Sequence, residues 1–277
     1  MMSVEGHDFA GAIFIIWAMW WAVINAMKLF SQKPTTYPPK LLRPQLVENV
    51  VCIILALTGL LFQQFAQGGP GLHLYDEKNH QWVDLKSWHH STVFLFFLVS
   101  SIVGALTHCP LRLPLGLDRL LLSVAMFNEG MLINSHRTAP MGTLQDRHIH
   151  SILLIPIFSA AICLLLEVHF RDYPILVLLR ISMFLTQGTW FCQIRFLSRS
   201  PWGTPIWDPN DPGTAMFLTL CFSWHYLVNI FLLSIIYGTV YCFLNRKRKN
   251  KGTNFETEPL KQDCGAYTLL PNECSED

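Results

Sequence analysis

The chain has 277 residues, 51% of them hydrophobic and 14% charged, and 20 Lys and Arg against 19 Asp and Glu leave a net charge of +1. Soluble domains carry about a quarter charged residues, so the composition points to a membrane protein, and near-neutral charge without a basic face excludes a nucleic-acid binder. The eight cysteines show no Cys-x-x-Cys spacing; Cys52, Cys163, Cys192, Cys221 and Cys242 lie inside apolar runs, where they read as small hydrophobes rather than disulfide partners or zinc ligands.

In chain order, "FAGAIFIIWAMWWAVINAM" (9–27) carries no charge and is long enough to cross a bilayer, which takes about 20 apolar residues. The residues before it hold no Lys or Arg, unlike the basic start of a cleaved signal peptide, so a retained span is expected. Further spans are predicted near 46–66, 89–108, 119–136, 148–169, 175–197 and 214–243. The second begins with Glu48 and stops at a glycine-proline breaker. "CPLRLPLGLD" (109–118) separates the third from the fourth, and "FRDYP" (170–174) is short enough only for a helical hairpin turn. "RSPWGTPIWDPNDPG" (199–213) precedes the last span, its tryptophans suited to an interfacial belt. Backbone polar groups must be paired in hydrocarbon, so the spans must be helices. The expectation is an all-α, polytopic membrane protein, a seven-transmembrane-helix bundle over 1–245 followed by a basic, then polar and disordered tail over 246–277.

Basic residues set the expected orientation. Twelve Lys and Arg fall on one side, among them Lys28, Lys33, Lys40, Arg43, Arg171 and the run Arg246–Lys251, against six on the other. That bias places the N-terminus outside and the C-terminus in the cytosol. "YTLL" (267–270) in the tail matches the pattern read by endocytic sorting adaptors, which makes such an adaptor a candidate partner at Tyr267–Leu270 beside the lipid bilayer itself.

Charged groups near mid-bilayer cost roughly 2.5–3.5 kcal/mol each on insertion scales, so they face the bundle interior and find partners. In "MFNEGMLINSHRTAP" (126–140), Glu129 falls near the midplane and His136 lies seven residues on, on the same helical face. His89 and His90 start the third span from outside, and His148 and His150 start the fifth, with Asp146 one turn before His150. Gln187 and Gln193 lie in the sixth span, and His225 in the last. These groups are expected to converge on the outer half of the bundle. Glu167, His169, Arg171 and Arg180 gather at the opposite end, where exposed ion pairs of structural duty are expected.

Three readings of the outer cluster remain open. One is a hydrogen-bond network that joins helices, and a protein whose function lies in trafficking or scaffolding. A second is a non-enzymatic pocket for a small ligand or ion around Glu129, His136, Asp146, His150, Gln187, Gln193, His225, His89 and His90. The third is a membrane-embedded metal-dependent hydrolase, with zinc held by His136, His150, His225 or Glu129 and a polarised water. No His-Glu-x-x-His motif or Gly-x-Ser-x-Gly elbow accompanies these residues.

The stretches "GHDFAGAIF", "SWHHST", "FNEG" with His136, "DRHIHS", "LTQGTWFCQI", "WGTPIWD" and "CFSWHYL" occur in order. In these the chain resembles the transmembrane protein 45 family, which includes the transmembrane epididymal proteins. The resemblance implies a seven-span protein of secretory or endosomal membranes or the cell surface, with no settled biochemical activity. It puts Trp88, His90, Ser91, Glu129, His136, Asp146, His150, Gln187, Gln193, Trp224 and His225 on matching positions. Two departures stand out. This chain has Gln63-Gln64-Phe65 where the family pattern has Glu-Gln-Phe, and "SHRTAP" keeps only His136 of a His-x-His pair. A metal centre that relied on the second histidine would be impaired by that change.

Overall fold

A computed structural model describes residues 3–31, 44–66, 68–111, 113–137, 143–171, 173–198 and 208–249. Seven helices follow one another: α1 (Ser3–Phe30), α2 (Pro44–Phe65), α3 (Leu85–Leu106), α4 (Leu117–Arg137), α5 (Leu144–Glu167), α6 (Pro174–Ser198) and α7 (Pro212–Lys249). The all-helical expectation holds, with one addition. Between α2 and α3 the chain forms a short antiparallel hairpin, β1 (Tyr75–Asp76) and β2 (Gln81–Trp82), with Tyr75 opposite Trp82. Their rings meet edge to face at 5.1 Å. The last helix continues through Lys249, past the predicted end of the membrane domain, and Arg248 donates to the backbone oxygen of Phe30 at the end of α1. The sorting motif Tyr267–Leu270 lies outside the described residues.

Among the described residues, six helices are long and apolar enough to cross a membrane: all except α4. Leu120, Val124, Phe127 and Met131 form an exposed apolar stripe along α4, while Ser123, Asn128 and Glu129 are buried. The inward polar face lowers the helix's average without exposing a charge to lipid. Ile16, Leu61, Val99, Ile162, Ile175 and Phe231 likewise stand exposed on the other helices. Such surfaces suit hydrocarbon, and the molecule is an integral, multi-pass membrane protein.

The core is built on small residues and close backbone approach. Ala18, Ala22 and Ala26, four apart on α1, are fully buried. Nearer the start of α1, Gly11 meets Gly188 of α6 so tightly that a Cβ on Gly188 would lie 2.8 Å from the Ile15 nitrogen and 2.9 Å from the Gly11 oxygen. Small residues let membrane helices approach this way. Polar bonds tie further pairs: Ser123 Oγ donates to the Ala161 oxygen at 2.7 Å, Trp190 Nε1 to the Ile149 oxygen at 3.1 Å, and Asn25 Nδ2 to Tyr237 Oη at 2.8 Å. In space α2 pairs with α3, α3 with α4, α4 with α5, α5 with α6 and α6 with α1, while α7 packs across α1, α5 and α6. Among the described residues α1 and α2 make no comparable backbone approach, and the space behind that seam is the cavity described next.

Candidate functional site

One cavity of about 610 Å³ runs along the bundle, with walls from α1 through α6. At the end where α1 begins it is lined by Gln63, His90, Glu129, Ile133 and His150. At the other end its wall includes Lys28, Glu48, Arg119, Glu167 and Arg180. Phe14, Phe94, Phe97, Phe184 and Phe191 furnish apolar surface along it.

Glu129 is brought to the cavity by the inward face of α4 and is 3% exposed. Gln187 on α6 reaches across and donates through Nε2 to Glu129 Oε1 at 2.9 Å. The second carboxyl oxygen, Oε2, has no hydrogen-bond partner, and neither does Gln187 Oε1. A buried polar atom left unpaired costs about 1–3 kcal/mol, so this pair is not a closed network. Asn128 Nδ2, also buried on α4, is unpaired too.

The other predicted site residues divide. His90 and His150 share the cavity wall with Glu129, and His150 Nδ1 lies 2.8 Å from the Asp146 backbone oxygen and 3.5 Å from its Oδ1. Asp146 itself is exposed in the first turn of α5. His225 lies away from the cavity wall, edge-on to Trp190 with ring centroids 5.4 Å apart. His89 and Gln193 are half-buried on α3 and α6, off the wall. The side chain of His136 lies outside the described residues. Among the described residues, no three His, Cys, Asp or Glu side chains gather as a metal site requires. His148, also at the start of α5, is instead 2.8 Å from Thr219 Oγ1 on α7.

Gln64 is buried and structural. Its Nε2 donates to Ser91 Oγ at 2.7 Å, and its Oε1 accepts from the Leu72 backbone nitrogen at 3.2 Å. That anchors the loop to the α2–α3 pair.

The opposite end of the cavity corrects one expectation. Glu167 and Arg180 are not an exposed interfacial pair: they are 2% and 3% exposed, and Arg180 Nε donates to Glu167 Oε1 at 2.7 Å. The reason is packing, because α4 and α6 close over the end of α5 and turn both side chains inward. His169 and Arg171 do stay exposed, and Arg171 bonds Asp118. Glu48 reads in the sequence only as a span boundary, yet it lies on the cavity wall. Its Oε1 accepts from Trp21 Nε1 at 2.5 Å and Trp17 Nε1 at 3.2 Å. The signal was present, since two tryptophans four residues apart on one helix present two indole donors to one point.

A helical bundle with lipid-facing apolar surfaces and buried polar groups around an internal cavity defines a multi-pass integral membrane protein. Residues 115–238 match the model of a family of unknown function (DUF716). The chain is 27% identical over 154 residues to transmembrane epididymal protein 1 of Rattus norvegicus and to that of Homo sapiens, 55% of this chain and 50% and 56% of theirs. It is 25% identical over the same length to transmembrane epididymal protein 1A of Mus musculus. Over these stretches the chain is similar to that family of unknown function and to the epididymal proteins. The matched segment spans about half the length of those relatives. The family model covers α4, α5, α6 and most of α7, so Glu129, Glu167, Arg180 and Gln187 fall within it and Glu48 does not.

Proposed function

We propose that this is a non-enzymatic membrane protein that binds a small ligand or ion inside the bundle, with Glu129 as the charge-bearing anchor. One observation carries the reading: Glu129 is buried on the cavity wall with Oε1 held by Gln187 and Oε2 uncommitted. A carboxyl group so placed accepts a hydrogen bond from a protonated amine, a hydroxyl or a cation, and water exclusion strengthens that interaction. His90, His150 and Gln63 line the same end and supply further polar contacts. The excess of Lys and Arg on the opposite side supports an exoplasmic N-terminus, which turns this end outward. The apolar outer stripe of α4 supports counting that helix as a seventh span. The hydrolase reading counts His225 among its possible zinc ligands, and the place of that ring against Trp190 does not favour it.

The test uses the full chain in lipid nanodiscs, titrated with alkylamines from hexylamine to decylamine, with thermal unfolding as the readout. Saturable stabilisation that Glu129→Gln abolishes supports the anchor. No saturable response, or an equal one in the variant, leaves Glu129 and Gln187 as a helix-joining contact, the reading that their mutual bond favours.

A further inference from the structure

The cavity end remote from Glu129 holds charged groups for which the amine-binding reading has no use. Arg180 lies there, buried, with Nε committed to Glu167 and the Trp21 ring covering its guanidinium at 4.4 Å from the centroid. Its Nη1 has no hydrogen-bond partner. The neighbouring carboxylates are shared. Glu167 Oε2 is also 3.6 Å from Arg119 Nε, and Asp118 serves both Arg119, at 3.7 Å, and Arg171. Glu48 accepts from two indoles. Among the described residues, with Lys28 on the wall, four cations face three carboxylates at this end.

A guanidinium presents its N–H groups as a planar fork suited to carboxylate and phosphate oxygens. Here one edge holds Glu167 and the buried Nη1 lacks an acceptor. Water-excluded surroundings make that missing acceptor costly, and an anionic oxygen from the cavity supplies both the acceptor and the balancing charge. Leu122, Val177, Phe97 and Phe184 give the cavity apolar surface. We propose that this end is a binding site for a monoanionic amphiphile, its carboxylate or phosphate head on Arg180 Nη1 and its chain along the phenylalanines. The site is separate from the Glu129 anchor and does not depend on it.

The experiment uses the full chain in phosphatidylcholine nanodiscs and follows tryptophan emission, since Trp17 and Trp21 line the cavity. Decanoate and decyl phosphate are titrated beside two controls, decanol and inorganic phosphate. Expected is a saturable emission change with both amphiphilic anions and neither control. The charge-neutral pair Arg180→Gln with Glu167→Gln should weaken it by about tenfold or more, the scale of one charge-assisted hydrogen bond, and Glu129→Gln should leave it intact. If that pair does not fold, Lys28→Gln with Arg119→Gln is read instead, with reduced affinity expected. Equal binding of decanol, equal binding of inorganic phosphate, or wild-type affinity in the readable variant overturns the proposal. Because the alkylamine response is tested at Glu129 and the anion response at Arg180, either result stands without the other.

Discussion

Arg180 and Glu167 face each other at 2.7 Å with almost no solvent, a setting in which the partners matter more than the pair. Exposed ion pairs contribute about 0–1 kcal/mol, whereas removing one member of a buried pair strands the other charge and costs about 3–5 kcal/mol. Arg180→Gln alone should therefore destabilise the protein by about 3–5 kcal/mol, and adding Glu167→Gln should recover most of that loss. Unfolding in mixed detergent micelles measures both, and equal stability of the single and paired variants would show that the pair lies in solvent. The Glu129–Gln187 bond is of a weaker kind. Interhelical hydrogen bonds in membranes average about 0.6 kcal/mol, but Gln187→Leu also strips the one partner of a buried carboxyl oxygen, so its cost should exceed that average. Residue chemistry of this sort was partly legible in the sequence. Glu129 and Gln187 stood out as polar groups in apolar runs, and depth counting set them near one level. His225 stood out equally and faces Trp190 instead, because counting residues fixes depth along a helix but not which neighbour its face meets.

The pairing of α1 with α6 rests on backbone contact rather than on side-chain bulk. A Cβ on Gly188 would stand 2.8 Å from the Ile15 nitrogen, closer than packed atoms allow, and relief requires the helices to separate. Overpacking of this kind costs about 1–3 kcal/mol. Gly188→Val should lose at least that much in micelle denaturation, whereas Gly238→Ala on α7, with nothing within 4 Å of the added carbon, should be neutral; comparable losses at both sites would remove the close approach as the cause. Outside the membrane, the β1–β2 hairpin has its own pH signature. The Asn79 side chain and the Lys78 backbone N–H donate to Asp76 and hold its carboxyl below the usual carboxylate range. A depressed value means that the contribution is present above the ordinary carboxylate pKa and is lost as pH falls through the folded value. Protection of the Lys78 and Asn79 amides, taken relative to the intrinsic exchange rate at each pH, should fall only under acidic conditions, and Asp76→Asn should remove that dependence. Long apolar runs made the helices readable, since their length admits little else in lipid. The hairpin was not readable, because two-residue strands leave no periodicity to detect.

Across the whole molecule, the order of helix pairing explains why a cavity forms at all. Five neighbouring pairs close most of a ring, from α2 through α3, α4, α5 and α6 to α1, and the remaining seam between α1 and α2 lacks close backbone approach among the described residues. Side chains bridge it instead, since Trp17 and Trp21 donate to Glu48, while Phe14 meets Phe97 of α3 behind it, edge to face at 6.2 Å. The Trp17–Trp21 spacing was visible in the linear pattern, but its partner Glu48 only marked the start of a span, because helix order around a ring depends on which inward faces complement each other. A seam held by a few side chains opens more readily than one held by a backbone ridge, so Glu48 should govern access to the cavity. Cys52, one turn beyond Glu48 on α2, lies on the cavity wall, whereas Cys163 on α5 is buried in helix packing. In two variants that each retain only one of these cysteines, Glu48→Gln should raise the rate of Cys52 labelling by a membrane-permeant maleimide several-fold. Cys163 labelling should stay unchanged, since that thiol sits away from the seam. An unchanged Cys52 rate would mean that the indole–carboxylate contact does not hold α1 to α2, and a parallel rise at Cys163 would mean that the substitution loosens the whole bundle rather than one seam.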